Sequence, residues 1–236
     1  MRLLRNILAF FVACLLILLL FPLVAIGAGI FGRDAIIYSS ARLVIRSSLA
    51  ILGVRPLVRG LEAVDFSVPP LVVCNHLSNL DGPMLVSVLP VNPRVLIKSE
   101  ARRIPLIGWV MKLADFVFVD RSSAVRRQEA LNEAIEKIRR KRYCFLVFPE
   151  GTRSRDGAVR DFKKGSFLIA QRAGVPVLPV KLSGTRRLMP PGRKTCGRGT
   201  VEVDFHPLLD LGAASEGELP GVVRNVQRRI YEEKEA

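Results

Sequence analysis

From Asn6 to Gly32 no charged residue interrupts a run dominated by Leu, Ile, Val, Phe and Ala; Arg2 and Arg5 precede it and Arg33 follows. About 20 apolar residues suffice to cross a bilayer, so this run is long enough to span. It exceeds the roughly 7–15-residue apolar region of a cleavable signal peptide. Pro22, Gly27 and Gly29 weaken its second half as one continuous helix, so a single span and a hairpin or re-entrant anchor both remain open. Residues 34–54 then turn amphipathic, with Arg42 and Arg46 one turn apart among Ile36, Ile37, Leu43, Val44, Leu49 and Ile51. The pattern predicts two N-terminal helices seated in one leaflet with both ends cytosolic. Arg2, Arg5 and Arg33 then all stay on the positive inside, whereas a simple span separates Arg2 and Arg5 from the basic remainder.

After residue 60 the pattern changes to short apolar runs alternating with helical periodicity. Strands are predicted at 71–74, 94–98, 116–119, 144–148, 177–182 and 201–205. Helices are predicted at about 123–141, 164–173 and 219–233. In the first of these Leu131, Ala134, Ile135 and Ile138 share a face, and Glu133/Lys137 and Glu136/Arg140 are i,i+4 pairs. In the last, Val222, Val223, Val226 and Ile230 point inward. Strands alternating with helices predict an α/β fold, a mixed and mostly parallel sheet flanked by helices, behind an N-terminal two-helix membrane anchor. The expected division is 1–55 for the anchor and 56–236 for the α/β domain. Residues 184–200, rich in Gly, Pro, Arg and Lys, read as an exposed loop.

Composition sharpens this picture in three ways. The 236 residues carry a net charge of +15 and a mean hydropathy of +0.30. Residues 162–201 hold nine Lys or Arg and no acid, which points to anionic lipid or a phosphorylated substrate. Aromatics are few and not interleaved with the basic residues, and no nucleic-acid motif occurs, so nucleic acid is not an expected partner. Cys14, Cys74, Cys144 and Cys196 are far apart without a CxxC, and only two histidines occur, so reduced thiols and no metal site are expected. Gly27-Ala28-Gly29-Ile30-Phe31-Gly32 spells GxGxxG, but it ends a membrane-length run and Leu52 stands where a ribose-binding acid belongs, which makes it a chance match.

The candidate chemistry lies at strand ends. Asn75-His76-Leu77-Ser78-Asn79-Leu80-Asp81 follows the apolar run 71–74, and Gly82-Pro83 follows it. Histidine is the side chain best suited to move a proton near neutral pH. On a continuous helix His76 and Asp81 would point apart, about 500° from each other. They meet only if His76 is on the turn and Asp81 begins the helix, a geometry that Pro83 favours. The plain alternative is a helix-capping Asp81 beside an incidental histidine. Phe148-Pro149-Glu150-Gly151-Thr152-Arg153-Ser154-Arg155 follows the apolar run 144–148. Gly151 there permits close backbone approach and Arg153 offers a fork for phosphate; a polar turn with Arg153 paired to Glu150 is the alternative. Phe118-Val119-Asp120-Arg121 ends a strand in a charged pair, which an ordinary surface ion pair would also explain. Val175-Pro176-Val177-Leu178-Pro179-Val180 carries two prolines in an apolar run, the mark of an edge strand, a groove wall or plain packing. No GxSxG elbow occurs, Cys74 reads as a buried inert thiol, and His206 as a structural residue at a strand end.

In this order the four segments resemble the blocks of the glycerolipid acyltransferase family, which includes 1-acyl-glycerol-3-phosphate acyltransferases. Its Asn-His-x4-Asp hallmark is similar to Asn75, His76 and Asp81. Ile104-Pro105-Leu106-Ile107-Gly108-Trp109 and Phe162-Lys163-Lys164-Gly165 also look like family segments, and the likeness covers about residues 56–205. The resemblance implies that His76 is the general base on an acceptor hydroxyl and Asp81 its orienter. It implies an acceptor site of Arg121, Glu150, Gly151, Thr152, Arg153 and Lys163, with Arg121 and Arg153 near the phosphate. It places Val175, Pro176 and Pro179 at the acyl-donor site. It implies no cofactor. The expected partners are membrane lipids, lysophosphatidic acid, and acyl-CoA or acyl-carrier protein as donor. The expected location is a membrane, with the catalytic domain on the cytoplasmic face, the inner membrane in a bacterium. Backbone N–H groups of residues 76–78 are candidate oxyanion donors. The rival readings are an acyltransferase for another lysolipid, a membrane-tethered protein that binds anionic lipid without catalysis, and a thioester hydrolase.

Overall fold

The computed structural model describes residues 1–27, 32–154, 158–212 and 217–232. Helix α1 (Arg2–Gly27) runs without a break through Pro22, so proline does not divide the apolar segment as its sequence suggests. A proline in a long apolar helix loses one hydrogen bond, and the remaining ladder carries the turn. Residues 28–31 of the GxGxxG match lie outside the described residues; Gly27 ends a helix and Gly32 precedes the next. Helix α2 is Arg33–Leu52. Both are long and apolar enough to cross a membrane by length and composition.

The remaining elements are β1 (Val54–Arg59), β2 (Leu71–Cys74), α3 (Asp81–Val88), β3 (Arg94–Lys98), α4 (Ile107–Leu113), β4 (Val117–Val119), α5 (Ala124–Lys141), β5 (Phe145–Val147), α6 (Lys164–Ala173), β6 (Val177–Ser183), α7 (Thr185–Leu188), β7 (Gly199–Phe205) and α8 (Leu219–Tyr231). The strands form one seven-stranded sheet in the order β1-β7-β6-β2-β5-β3-β4. Every pair is parallel except β6–β7. This is the mixed, mostly parallel sheet that the alternating pattern predicts. β1 escapes that reading because Arg55, Pro56 and Arg59 break its apolar pattern. An edge strand beside β7 tolerates all three.

Alternation along the strands builds two cores. Leu71, Val73, Phe145 and Val147 meet Ala134 and Ile138 of α5, Phe167 and Ala170 of α6, and Val223, Val226 and Ile230 of α8. Val72, Cys74, Leu146, Leu178 and Val180 meet Met84 and Leu85 of α3 and Leu49 of α2. Each buried Val, Leu, Ile, Phe or Met side chain among them contributes roughly 1.5–3 kcal/mol. The pairs Glu133–Lys137 (2.8 Å) and Glu136–Arg140 (3.1 Å) form on the outer face of α5. The 184–200 segment is not simply an exposed loop, since it contains α7 and buries Thr185, Leu188 and Cys196.

Helix α2 is bound to the sheet domain along its length, and α1 is bonded to it at its start. Arg42 donates to the carbonyls of Val86, Leu89 and Val91, and Arg46 to that of Ser87, so both cap the C-terminal end of α3. Arg33 pairs with Asp115 at 2.6 Å, Asp34 with the buried Arg94, and Tyr38 donates to the Pro93 carbonyl. The Arg94 guanidinium lies over the Tyr143 ring at 3.4 Å. At the start of α1, the Asn6 side chain pairs with both backbone groups of Cys196 (2.6 and 3.0 Å).

Candidate active site

The C-terminal ends of β2, β4 and β5 point the same way, so the three loops that follow them meet at one edge of the sheet. The β2 loop carries His76. Its Nδ1 lies 2.9 Å from Asp81 Oδ2, and that same oxygen accepts from the backbone N–H of Leu77 and of Ser78, each at 2.7 Å. Asp81 is fully buried at the first turn of α3, as Pro83 and the turn geometry predict. The five-residue spacing therefore folds into a pair. The carboxylate braces the loop and fixes the ring together, so capping and orienting are one function of one side chain.

Three further contacts fix the histidine. Its ring stacks on Phe148 with centroids 4.0 Å apart. Its backbone N–H donates to Glu150 Oε1 at 3.0 Å, and its carbonyl accepts from the Ser154 N–H. Asn75, beside it, pairs through both amide atoms with the backbone of Leu182 (2.7 and 2.9 Å), tying the loop to the end of β6. Ser78 Oγ donates to the Met189 carbonyl at 2.7 Å. With Nδ1 engaged, Nε2 is the ring nitrogen left to the cavity that His76 lines.

That cavity measures about 1650 Å³, larger than the ~300–1,000 Å³ of an ordinary small-molecule pocket. One end is apolar: Ile17, Phe21 and Val24 of α1, Ile37 and Val44 of α2, and Val110 of α4. The other end carries Arg121, Thr152, Arg153 and Lys163, together with Lys98 and Arg127, which the sequence motifs did not mark. Arg121 donates to the Gly151 carbonyl, while Asp120 turns away to Arg126 at 2.8 Å, so the two are not a surface pair. Arg153 donates to the Asn79 side chain and not to Glu150. Gly151 has φ +75, a conformation that favours glycine, and a Cβ there would sit 2.8 Å from Lys163 Nζ and displace the ammonium.

Three expectations change. Glu150 does not line the cavity; it is buried, and Tyr231 of α8 donates to the same Oε1 that holds the His76 amide, so it positions the His76 loop from behind. Val175, Pro176 and Pro179 lie outside the cavity as well. Pro176 sits at the start of β6, where its carbonyl accepts from Leu71 at the start of β2, the opposite end of the sheet from His76. Pro179 is buried opposite Val73 in a central strand, not an edge strand. The N–H groups of residues 76–78 are all engaged by Glu150 or Asp81, which removes them as oxyanion donors.

Burial pushes the Glu150 carboxyl above its ordinary range, against the opposing effect of its bonds from Tyr231 and the His76 amide. Burial, then the charges of Asp81 and Glu150, push the Cys74 thiol well up, which leaves it inert as a nucleophile. A carboxyl whose folded-state value is raised contributes stability below its unfolded value, and that contribution is lost as pH rises through the folded value. Glu150→Gln holds the neutral form at every pH. The stability of this variant relative to wild type is therefore expected to improve as pH rises above the unfolded carboxyl value of about 4.3, and to level off once pH passes the raised folded value. Denaturation midpoints across a pH series check this, and a pH-independent difference would contradict it. Among the described residues no three His, Cys, Asp or Glu side chains converge as metal ligands would.

Comparison with known proteins places these features. Residues 55–183 match the model of the acyltransferase family. A 1-acyl-sn-glycerol-3-phosphate acyltransferase of Saccharomyces cerevisiae is 35% identical over 137 residues, 57% of this chain and 45% of that protein. One of Borreliella burgdorferi is 29% identical over 194 residues, 82% of this chain and 77% of that protein. The eukaryotic relatives are longer, and the chain spans between 40% and 67% of their length. The fold matches the crystal structure of the 1-acyl-sn-glycerophosphate acyltransferase PlsC from Thermotoga maritima with a TM-score of 0.83 and 33% identity, covering 97% of this chain and 93% of that one.

Proposed function

The chain belongs to the acyltransferase family, and from that premise we propose that it transfers a fatty acyl group from a thioester to the free sn-2 hydroxyl of 1-acyl-glycerol-3-phosphate, giving phosphatidic acid. The observation that carries this reading is the placement of His76. Its ring is braced on Asp81 and opens to a cavity with an apolar end on the N-terminal helices and a cationic end at Arg121, Arg153 and Lys163. A lysophosphatidate has the matching shape, one acyl chain and one phosphate with a hydroxyl between them. Relatives named for this acceptor support the assignment.

In the proposed step His76 Nε2 takes the hydroxyl proton as the oxygen attacks the thioester carbonyl. Asp81 stabilises the imidazolium through Nδ1–H, as the carboxylate does in an acid–base triad. The tetrahedral intermediate expels the thiolate, which takes up the proton. A thiol leaves with a pKa of about 8.5, so one base suffices and no covalent acyl-enzyme is required. Arg121 and Arg153 each spend one N–H on a neighbouring oxygen and keep the rest of the guanidinium fork for phosphate. The donor is acyl-CoA or an acyl-carrier protein.

The seating in a membrane follows from the same geometry. The start of α1 and nearly the whole of α2 are bonded to the domain, which favours both helices lying in one leaflet over either crossing it. Leu3, Leu4, Ile7, Phe10, Phe11, Leu18, Leu19 and Ile26 of α1 are exposed, and so are Ile104, Leu106, Ile107 and Trp109 beside it. Together they form an apolar face suited to lipid, with the basic domain at the cytoplasmic surface. The decisive measurement is mass spectrometry of products from a panel of lysolipids with acyl-CoA and acyl-carrier-protein donors. Phosphatidic acid from lysophosphatidate is the expected product. Acylation of another lysolipid alone would overturn the acceptor, and free fatty acid without acylated lipid would indicate a hydrolase.

A further inference from the structure

A second cavity, of about 820 Å³, lies beside the C-terminal ends of α2 and α3 and shares no lining residue with the first. Leu49, Val54, Pro56, Val58, Leu61 and Val88 give it an apolar wall. Four arginines from four separate parts of the chain line it: Arg5 of α1, Arg46 of α2, Arg55 of β1 and Arg198 just before β7. Among the described residues none of the four pairs with a carboxylate. Arg46 spends Nε and one terminal nitrogen on the Ser87 carbonyl. Arg5 Nε is buried with no hydrogen-bond partner. The Arg198 stem packs directly over Gly53, where a Cβ would come within 2.9 Å of its Cγ.

Four like charges gathered around one cavity repel each other, and a buried N–H without an acceptor is destabilising. An anion among them removes both penalties. The apolar wall and the membrane-length helices on either side narrow the anion to one that carries hydrocarbon. We propose that this cavity binds an anionic phospholipid, with its phosphate held by Arg5, Arg55 and Arg198 and its chains along the apolar wall. The lipid then bridges α1, α2 and β1, so that the anchor is tied to the domain more tightly in an anionic membrane. The inference concerns binding and stands apart from the proposed transfer reaction.

Native mass spectrometry of the intact, delipidated protein in detergent tests it. The protein is titrated separately with phosphatidylglycerol, phosphatidylcholine and inorganic phosphate. Wild type is expected to hold one phosphatidylglycerol about tenfold more tightly than phosphatidylcholine, because both lipids offer a phosphate but the choline ammonium brings a further cation to a site already lined by four arginines, whereas the glycerol headgroup brings none. The double variant Arg55→Gln/Arg198→Gln is expected to lose that preference. Arg193→Gln/Lys194→Gln removes the same charge from the neighbouring loop and is expected to keep it. If the double variant fails to fold, Arg198→Gln alone is expected to weaken the preference by about threefold. Equal retention of the two lipids by wild type, or an unchanged preference in the cavity variants, would overturn the proposal. Displacement of the lipid by millimolar inorganic phosphate would assign the site to free anion instead.

Discussion

Replacing His76 by alanine is expected to lower kcat by roughly 10²–10⁴-fold, the range that a positioned general base supplies, while the protein remains folded. The fold should survive because the loop does not depend on the ring. Asp81 Oδ2 keeps its bonds from Leu77 and Ser78, Glu150 keeps the residue 76 amide, and Asn75 keeps Leu182. The ring is partly exposed and stacks on one face only, against Phe148, so the stability loss should stay within the ordinary 0.5–3 kcal/mol of a single substitution. Lysolipid binding should persist as well, since Arg121, Arg153 and Lys163 are untouched. Steady-state kinetics on lysophosphatidate vesicles, with thermal denaturation and equilibrium binding on the same samples, separate these effects. Turnover above a tenth of wild type would remove His76 from the mechanism. A collapse of stability would make its role structural.

How far the sequence discloses this site depends on how local each contact is. The His76–Asp81 pair is five residues apart and obeys helix-start chemistry, so Pro83 and the spacing offer it as one of two readings, beside a helix cap with an incidental histidine. The cationic end is legible in part: Arg121, Gly151 and Arg153 each follow an apolar strand and parallel strands deliver their loops to one edge, whereas Lys98 and Arg127 carry no such mark. Glu150 stands in the same segment but turns inward to the His76 amide and Tyr231. Nothing in Phe-Pro-Glu-Gly-Thr-Arg tells which of its polar residues faces ligand. Tyr231 lies 81 residues from its partner, on a helix whose periodic valines marked only a packed face. The apolar end of the cavity was hidden for a different reason. Phe21, Val24 and Ile37 belong to segments whose hydrophobicity is already explained by the membrane, so no excess signal marks them as cavity wall. The prolines at 176 and 179 drew attention as an edge or groove, yet proline also fits the start of a central strand and a point where antiparallel pairing begins, at Val180↔Phe205.

The second large effect falls on Asp81. Asp81→Asn is expected to lower kcat by about 10²–10⁴-fold with KM nearly unchanged, because substrate contacts lie elsewhere and only the orientation and charge behind His76 are altered. An asparagine can keep its carbonyl oxygen at the Oδ2 position, where it still accepts from Leu77 and Ser78. Its NH₂ then falls at Oδ1, which is buried with no hydrogen-bond partner, so the variant pays for one unsatisfied donor and loses the negative charge facing the imidazolium. The flipped rotamer is worse, since it sets NH₂ against two backbone N–H donors. Asp81→Ala removes the acceptor for all three donors in a fully buried position, at about 1–3 kcal/mol for each one stranded. It is therefore expected to lose stability as well as turnover. The contrast between the two variants is the test. If Asp81→Asn keeps the thermal midpoint within a few degrees and loses kcat, Asp81 orients the base. If Asn and Ala lose activity only in proportion to stability, Asp81 is a brace for the loop and the histidine acts without it.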